Sequence, residues 1–116
     1  MDDKKKTTKK FEAYENAVEV ARLVRPLVEK IGRHDAKLAD QGRRAAQSIG
    51  LNVKEGNRRT GKDRTYAFKV ALGSTDEVSG VLDQGEVWGY LTEADTRAAR
   101  PVIDRECRLL RGLTKQ

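Results

Sequence analysis

A chain of 116 residues and 13.0 kDa has room for one domain around one core. Charged residues make up 36% and aromatic residues 5%, a mix that suits long helices with solvated outer faces better than a β-sandwich. The lone cysteine, Cys107, excludes an intramolecular disulfide and points to a reducing compartment, while 24 Lys and Arg against 18 Asp and Glu give a formal +6 that favours acidic partners.

Residues 1 to 9 carry Asp2, Asp3, Thr7, Thr8 and a run of lysines, and read as a disordered basic tail. No apolar stretch follows this start and none approaches a membrane span, so the expected location is cytoplasmic. The expected domain covers residues 10–116. Its first helix runs from about 10 to 31, with Tyr14, Ala17, Ala21, Val24, Val28 and Ile31 spaced three and four apart. Val20, Leu23 and Leu27 widen that stripe, Pro26 interrupts it, and Gly32 ends the helix. The second helix spans about 35 to 55, with Asp35 as its N-cap and Gly56 as its stop. Its seam of Leu38, Gly42, Ala45, Ala46, Ile49 and Val53 is narrow enough for a close neighbour.

The third helix extends from Lys62 to Tyr90, about 43 Å at 1.5 Å per residue. One stripe reads Ala67, Ala71, Ser74, Val78, Val81, Gly85 and Trp88; a second reads Phe68, Leu72, Thr75, Ser79 and Leu82. Two stripes imply an extra neighbour, and hence self-association. In the last helix Thr92 and Asp95 resemble a capping box, and Ala98, Val102, Ile103, Leu109, Leu110 and Leu113 supply an apolar face. Pro101 lies too deep for a helix capped at Thr92, so the helix is kinked there or starts later. The fold class is all-α. Four helices on short loops pack most simply as an antiparallel up-down-up-down four-helix bundle, here homo-oligomeric.

The segment Gly56–Asp63 nearly matches a phosphate-cradling loop, but Asp63 stands where a metal-binding hydroxyl is needed and a helix precedes it instead of a strand. It reads as a polar connection between helices. Around it, Arg43, Arg44, Lys54, Arg58, Arg59, Lys62 and Arg64 face only Glu55 and Asp63, a net +5 in 22 residues. Such a cluster engages phosphates, and these seven residues are the candidate nucleic-acid-binding set. No aromatic residue falls within the cluster before Tyr66, which argues against base stacking. Glu55 opposes the helix dipole and needs a local partner, Arg58 or Arg59; Asn52, Ser74 and Glu77 are candidates for an inward-facing polar set. His34 has no second His or Cys nearby, and Cys107 has no local base, so no metal, cofactor or catalytic residue is expected.

The run from Arg44 through Ile49, Gly50, Asn52 and Lys54 to Gly56, with Arg59, then Phe68, Ala71-Leu72-Gly73-Ser74, Glu77 and Gly89-Tyr90-Leu91, resembles a bacterial family. It is similar to the four-helix bundle proteins, or 23S rRNA intervening-sequence proteins, and through them to the accessory variability determinant of diversity-generating retroelements. The resemblance covers about residues 11–113. It implies a bundle that assembles as a homopentamer, with a retroelement branch that binds a reverse transcriptase and nucleic acid through a basic surface. The chain departs from the pattern at Gly50, where proline is common, and at Lys54, where alanine is common. The expected function is a non-enzymatic accessory protein binding RNA or DNA through the basic surface. The alternative is an adaptor or structural ring docking a protein such as a reverse transcriptase.

Overall fold

The computed structural model describes the backbone of residues 2–115 and the side chains of residues 10–115. Five helices follow in order: α1 (Asp2–Gly32), α2 (Ala36–Arg58), α3 (Gly61–Val87), α4 (Glu93–Thr96) and α5 (Ala99–Thr114). No strand occurs among the described residues. The helix α1 begins at Asp2; the side chains of residues 1–9, where a disordered basic tail is expected, lie outside the described ones. No helix among the described residues is long and apolar enough to cross a membrane.

Each long helix packs on two others: α1 on α2 and α5, and α3 on α2 and α5. Positions that ascend one helix meet positions that descend the next. A side chain at Gly32 would reach Ala39, one at Gly42 would reach Val28, and one at Gly50 would reach Tyr14. On the other side Glu12 pairs with Arg105, Asn16 meets Val102 and Glu106, and Lys30 pairs with Asp95. The core runs along the shared axis through Val20, Val24, Ile31, Ile49, Val78, Leu82 and Ile103, with a second cluster of Ala13, Val53, Phe68, Ala71 and Leu110 at one end.

The local signals explain where the helices end. α1 stops at Gly32, and the Asp35 carboxylate accepts from the Leu38 amide at 3.0 Å to cap α2. Gly56 does not stop α2. It is a buried interior residue, because a Cβ there would come within 2.5 Å of the Phe68 ring, and the helix continues to Arg58. α3 ends at Val87 rather than Tyr90; Gly89 takes a positive φ of 77° and lets the amides of Tyr90 and Leu91 return to the Gly85 carbonyl. That reversal lays Tyr90 against His34, with ring centroids 5.1 Å apart.

The expected fourth helix is two elements. Thr92 and Asp95 form the reciprocal capping box, but it serves only the one-turn α4. α5 then starts at Ala99, which puts Pro101 in the first turn, where its missing N–H costs no helical bond. Pro26 has no such excuse. It lies inside α1 on the exposed face and leaves the Arg22 carbonyl without its helical donor.

Both stripes of α3 are used inside the chain. Ala67, Phe68, Ala71, Ser74, Thr75, Val78, Val81, Leu82 and Gly85 are all buried, and only Trp88 of the two stripes is exposed. A helix with neighbours on two sides uses two stripes within its own chain, so this pattern by itself does not require a second copy.

One buried group in the α1–α5 seam is charged by nature. Glu106 is 0% exposed; its Oε1 accepts from Asn16 Nδ2 at 2.9 Å, and its Oε2 has no partner among the described residues. Asn16 Nδ2 also donates to the Val102 carbonyl, and Asn16 Oδ1 accepts from Arg105. Burial pushes the Glu106 carboxyl up to about 7, against the opposing pull of the Asn16 hydrogen bond and the Arg105 charge.

Candidate nucleic-acid interface

The buried seam of α2, Ala39, Gly42, Ala45, Ala46, Ile49, Val53 and Gly56, fixes what its other side shows. At 100° per residue Arg43, Arg44, Gln47, Leu51, Lys54 and Arg58 fall within an arc of about 100° opposite that seam. All six are exposed. From Arg43 to Arg58 the face is about 22 Å long. Arg59 follows as the C-cap of α2, and only Thr60 separates it from α3. Lys62, exposed in the first turn of α3, extends the same end of the molecule. Arg64 does not join this set: it is half-buried and about 200° around α3 from Lys62.

Two carboxylates hold four of the arginines. Arg43 and Arg44 both pair with Asp40, the latter at 2.9 Å. Arg58 and Arg59 both pair with Glu55, at 3.5 and 2.7 Å. The hydrogen bond and charge of Arg59 hold the Glu55 carboxyl below its usual range, and Glu55 in turn raises Arg59. This answers the expectation that Glu55 needs a local partner. Each trio keeps a net charge of +1, and a guanidinium has five N–H donors, so donors remain on the solvent side. Exposed pairs of this kind contribute little to stability, so a phosphate can compete for the same arginines. Lys54 sits with its Nζ 4.4 Å from the Tyr14 ring centroid.

The connection between α2 and α3 borders an open surface cleft of about 300 Å³ lined by Arg58, Arg59, Thr60 and Asp63. Gly61 has a φ of 59°, and Thr60 makes no side-chain cap. Beneath the surface Ser74 donates to Ser48 Oγ at 2.7 Å, and Asn52 donates to the Ser48 carbonyl and hydroxyl. Asn52 and Ser74 therefore face inward as expected, but Glu77 is exposed and takes no part. Two kinds of basic residue escaped the sequence reading. Lys69 lies two turns beyond Lys62 on α3, and Arg108 and Arg111 are exposed on α5. Only helical phase, applied beyond Arg64, could have found them. Cys107 is buried and donates to Asp76; burial, then Asp76, pushes its thiol up to about 11, away from nucleophilic use.

Fold and surface together define a small all-α protein with an arginine-rich face along one helix, where Gln47 and Leu51 separate Arg43 and Arg44 from Lys54 and Arg58. The chain belongs to the 23S rRNA-intervening sequence protein family, whose model matches residues 9–112. Among solved structures it is similar to a protein of unknown function from the S23 ribosomal protein family of Bacteroides thetaiotaomicron VPI-5482. The two share 19% identity with a TM-score of 0.81, over 90% of this chain and 99% of the other, a likeness of fold. No curated protein matches.

Proposed function

We propose that this chain is a non-enzymatic accessory protein, acting as a homo-oligomer of antiparallel four-helix units, that binds nucleic acid through the outer face of α2. The observation that carries this reading is the alignment of Arg43, Arg44, Lys54 and Arg58 on one solvent face, continued by Arg59 and Lys62. Phosphate contacts of this type carry no base information, so affinity falls steeply with salt and depends little on sequence. The family name speaks of an rRNA intervening sequence, which is compatible with an RNA partner.

The test is fluorescence anisotropy of labelled RNA and DNA at several salt concentrations, with a variant in which Arg43, Arg44, Arg58 and Arg59 are all Gln. Expected are a steep salt slope for the native protein and loss of binding in the variant, with its helical content and hydrodynamic size unchanged. Equal affinity in the two proteins rules the surface out. A second reading, docking of a protein partner, draws on an apolar groove of about 400 Å³ between α1 and α2, lined by Tyr14, Ala17, Ala21, Ala46, Gly50 and the exposed Leu51.

A further inference from the structure

The chain has three tyrosines, and two of them have partners within the fold. Tyr14 lies under Lys54, and Tyr90 stacks on His34. Among the described residues Tyr66 has neither a ring partner nor a hydrogen bond, and it is 71% exposed. Its place on α3 is the informative part. Lys62 lies four residues before it and Lys69 three residues after, and residues at those spacings share one helix face. Both lysines are exposed. They make no ion pair among the described residues. Along α3 the two cations are about 10 Å apart, with the phenol ring between them.

In chain order Tyr66 comes after the basic cluster, which made stacking look unsupported. The helix turns the ring back between cations and sets it near the end where Arg58 and Arg59 face solvent. An open aromatic face with a cation on either side, and with Asp63 one turn back beside Arg59, fits one ligand chemistry: an unpaired base, with its own backbone phosphates at the two lysines. A duplex hides its base faces and cannot use the ring this way.

We propose that Tyr66, between Lys62 and Lys69, is a base-stacking platform, so that the basic surface takes single-stranded nucleic acid in preference to duplex. The proposal rests on the nucleic-acid reading above and adds the strandedness of the ligand and the residue that senses it. Stacking on an aromatic side chain contributes about 1–3 kcal/mol per base, which is roughly a 5- to 150-fold change in affinity. Tyr66 is exposed, so its replacement leaves the core intact.

The experiment is an anisotropy titration of the full chain with a labelled mixed-sequence RNA single strand and with the same strand annealed to its complement. The native protein should bind the single strand more tightly. Tyr66→Leu should weaken single-strand binding about tenfold or more and leave duplex binding unchanged; Tyr66→Phe, which keeps the ring, should retain it. Neither substitution removes a charge, so the salt slope should stay the same, whereas Lys62→Gln should lower it by about 0.7. Unchanged single-strand affinity in Tyr66→Leu, alongside loss in the four-arginine variant, overturns the stacking role and leaves the basic surface standing. Tighter binding of duplex overturns it as well. Absence of binding to either form overturns both readings together.

Discussion

Replacing Glu106 with Gln should make the protein more stable at neutral pH and remove most of its pH dependence between about 4.5 and 7. In an unfolded chain the carboxyl titrates near its ordinary value of 4.5, whereas burial in the folded protein pushes it up to about 7. The folded state thus holds the proton more tightly. The carboxyl's contribution is fully present below about 4.5, is lost progressively up to about 7, and stays lost above that. A displacement of about 2.5 pH units, at about 1.36 kcal/mol for each, comes to about 3 kcal/mol. Gln keeps the oxygen that accepts from Asn16 and cannot ionise, so it imitates the protonated acid. Its amide nitrogen takes the place of Oε2, which has no partner in the native protein either. The two proteins should therefore be nearly equal in stability at about pH 4, differ by roughly 1 kcal/mol at about pH 5, and differ by about 3 kcal/mol at about pH 8. Urea unfolding followed by circular dichroism, at fixed protein concentration across that range, measures the difference directly. Parallel stability curves for the two proteins would falsify the argument, because they would mean that Glu106 gains no proton affinity on folding.

The packing of the glycines and prolines gives two further tests by thermal or urea unfolding. Gly56→Ala should destabilise, because its Cβ would fall 2.5 to 2.9 Å from three atoms of the Phe68 ring, an overpacking cost of about 1–3 kcal/mol. Gly73→Ala, in the same bundle but with nothing within 4 Å, should stabilise by about 0.5–1 kcal/mol; the same sign for both would show that propensity alone governs these sites. Pro26→Ala should raise the melting temperature by restoring a donor to the Arg22 carbonyl, while Pro101→Ala, in the first turn of α5, should change it little. Equal gains from both replacements would mean that α5 begins earlier than Ala99.

Much of the helix content and facing was legible because it is decided within one or two turns. The α2 seam, the Asp35 cap, the stop at Gly32 and the Thr92–Asp95 box are all local patterns, and each is in place. The basic face of α2 was legible for the same reason: once the seam is known, 3.6 residues per turn fixes the opposite side. Arg64 fell outside that face because it belongs to the next helix, whose phase the α2 seam does not set. Gly56 was misread as a stop because its meaning depends on a ring twelve positions away in sequence, on α3.

The sequence by itself determined that this protein is helical, which faces are apolar, and that positive charge gathers around the junction of its second and third helices. Tertiary structure decided what those faces meet. The two stripes of α3 are filled by α2 and α5 of the same chain, and the seam of α5 passes through Glu106, a residue that an apolar pattern skips. It also decided that Tyr14 and Tyr90 find partners while Tyr66 does not. The physical reason is common to all three. Periodicity is a property of one helix, whereas the number of its neighbours, and the side chains they bring, belongs to the packed set.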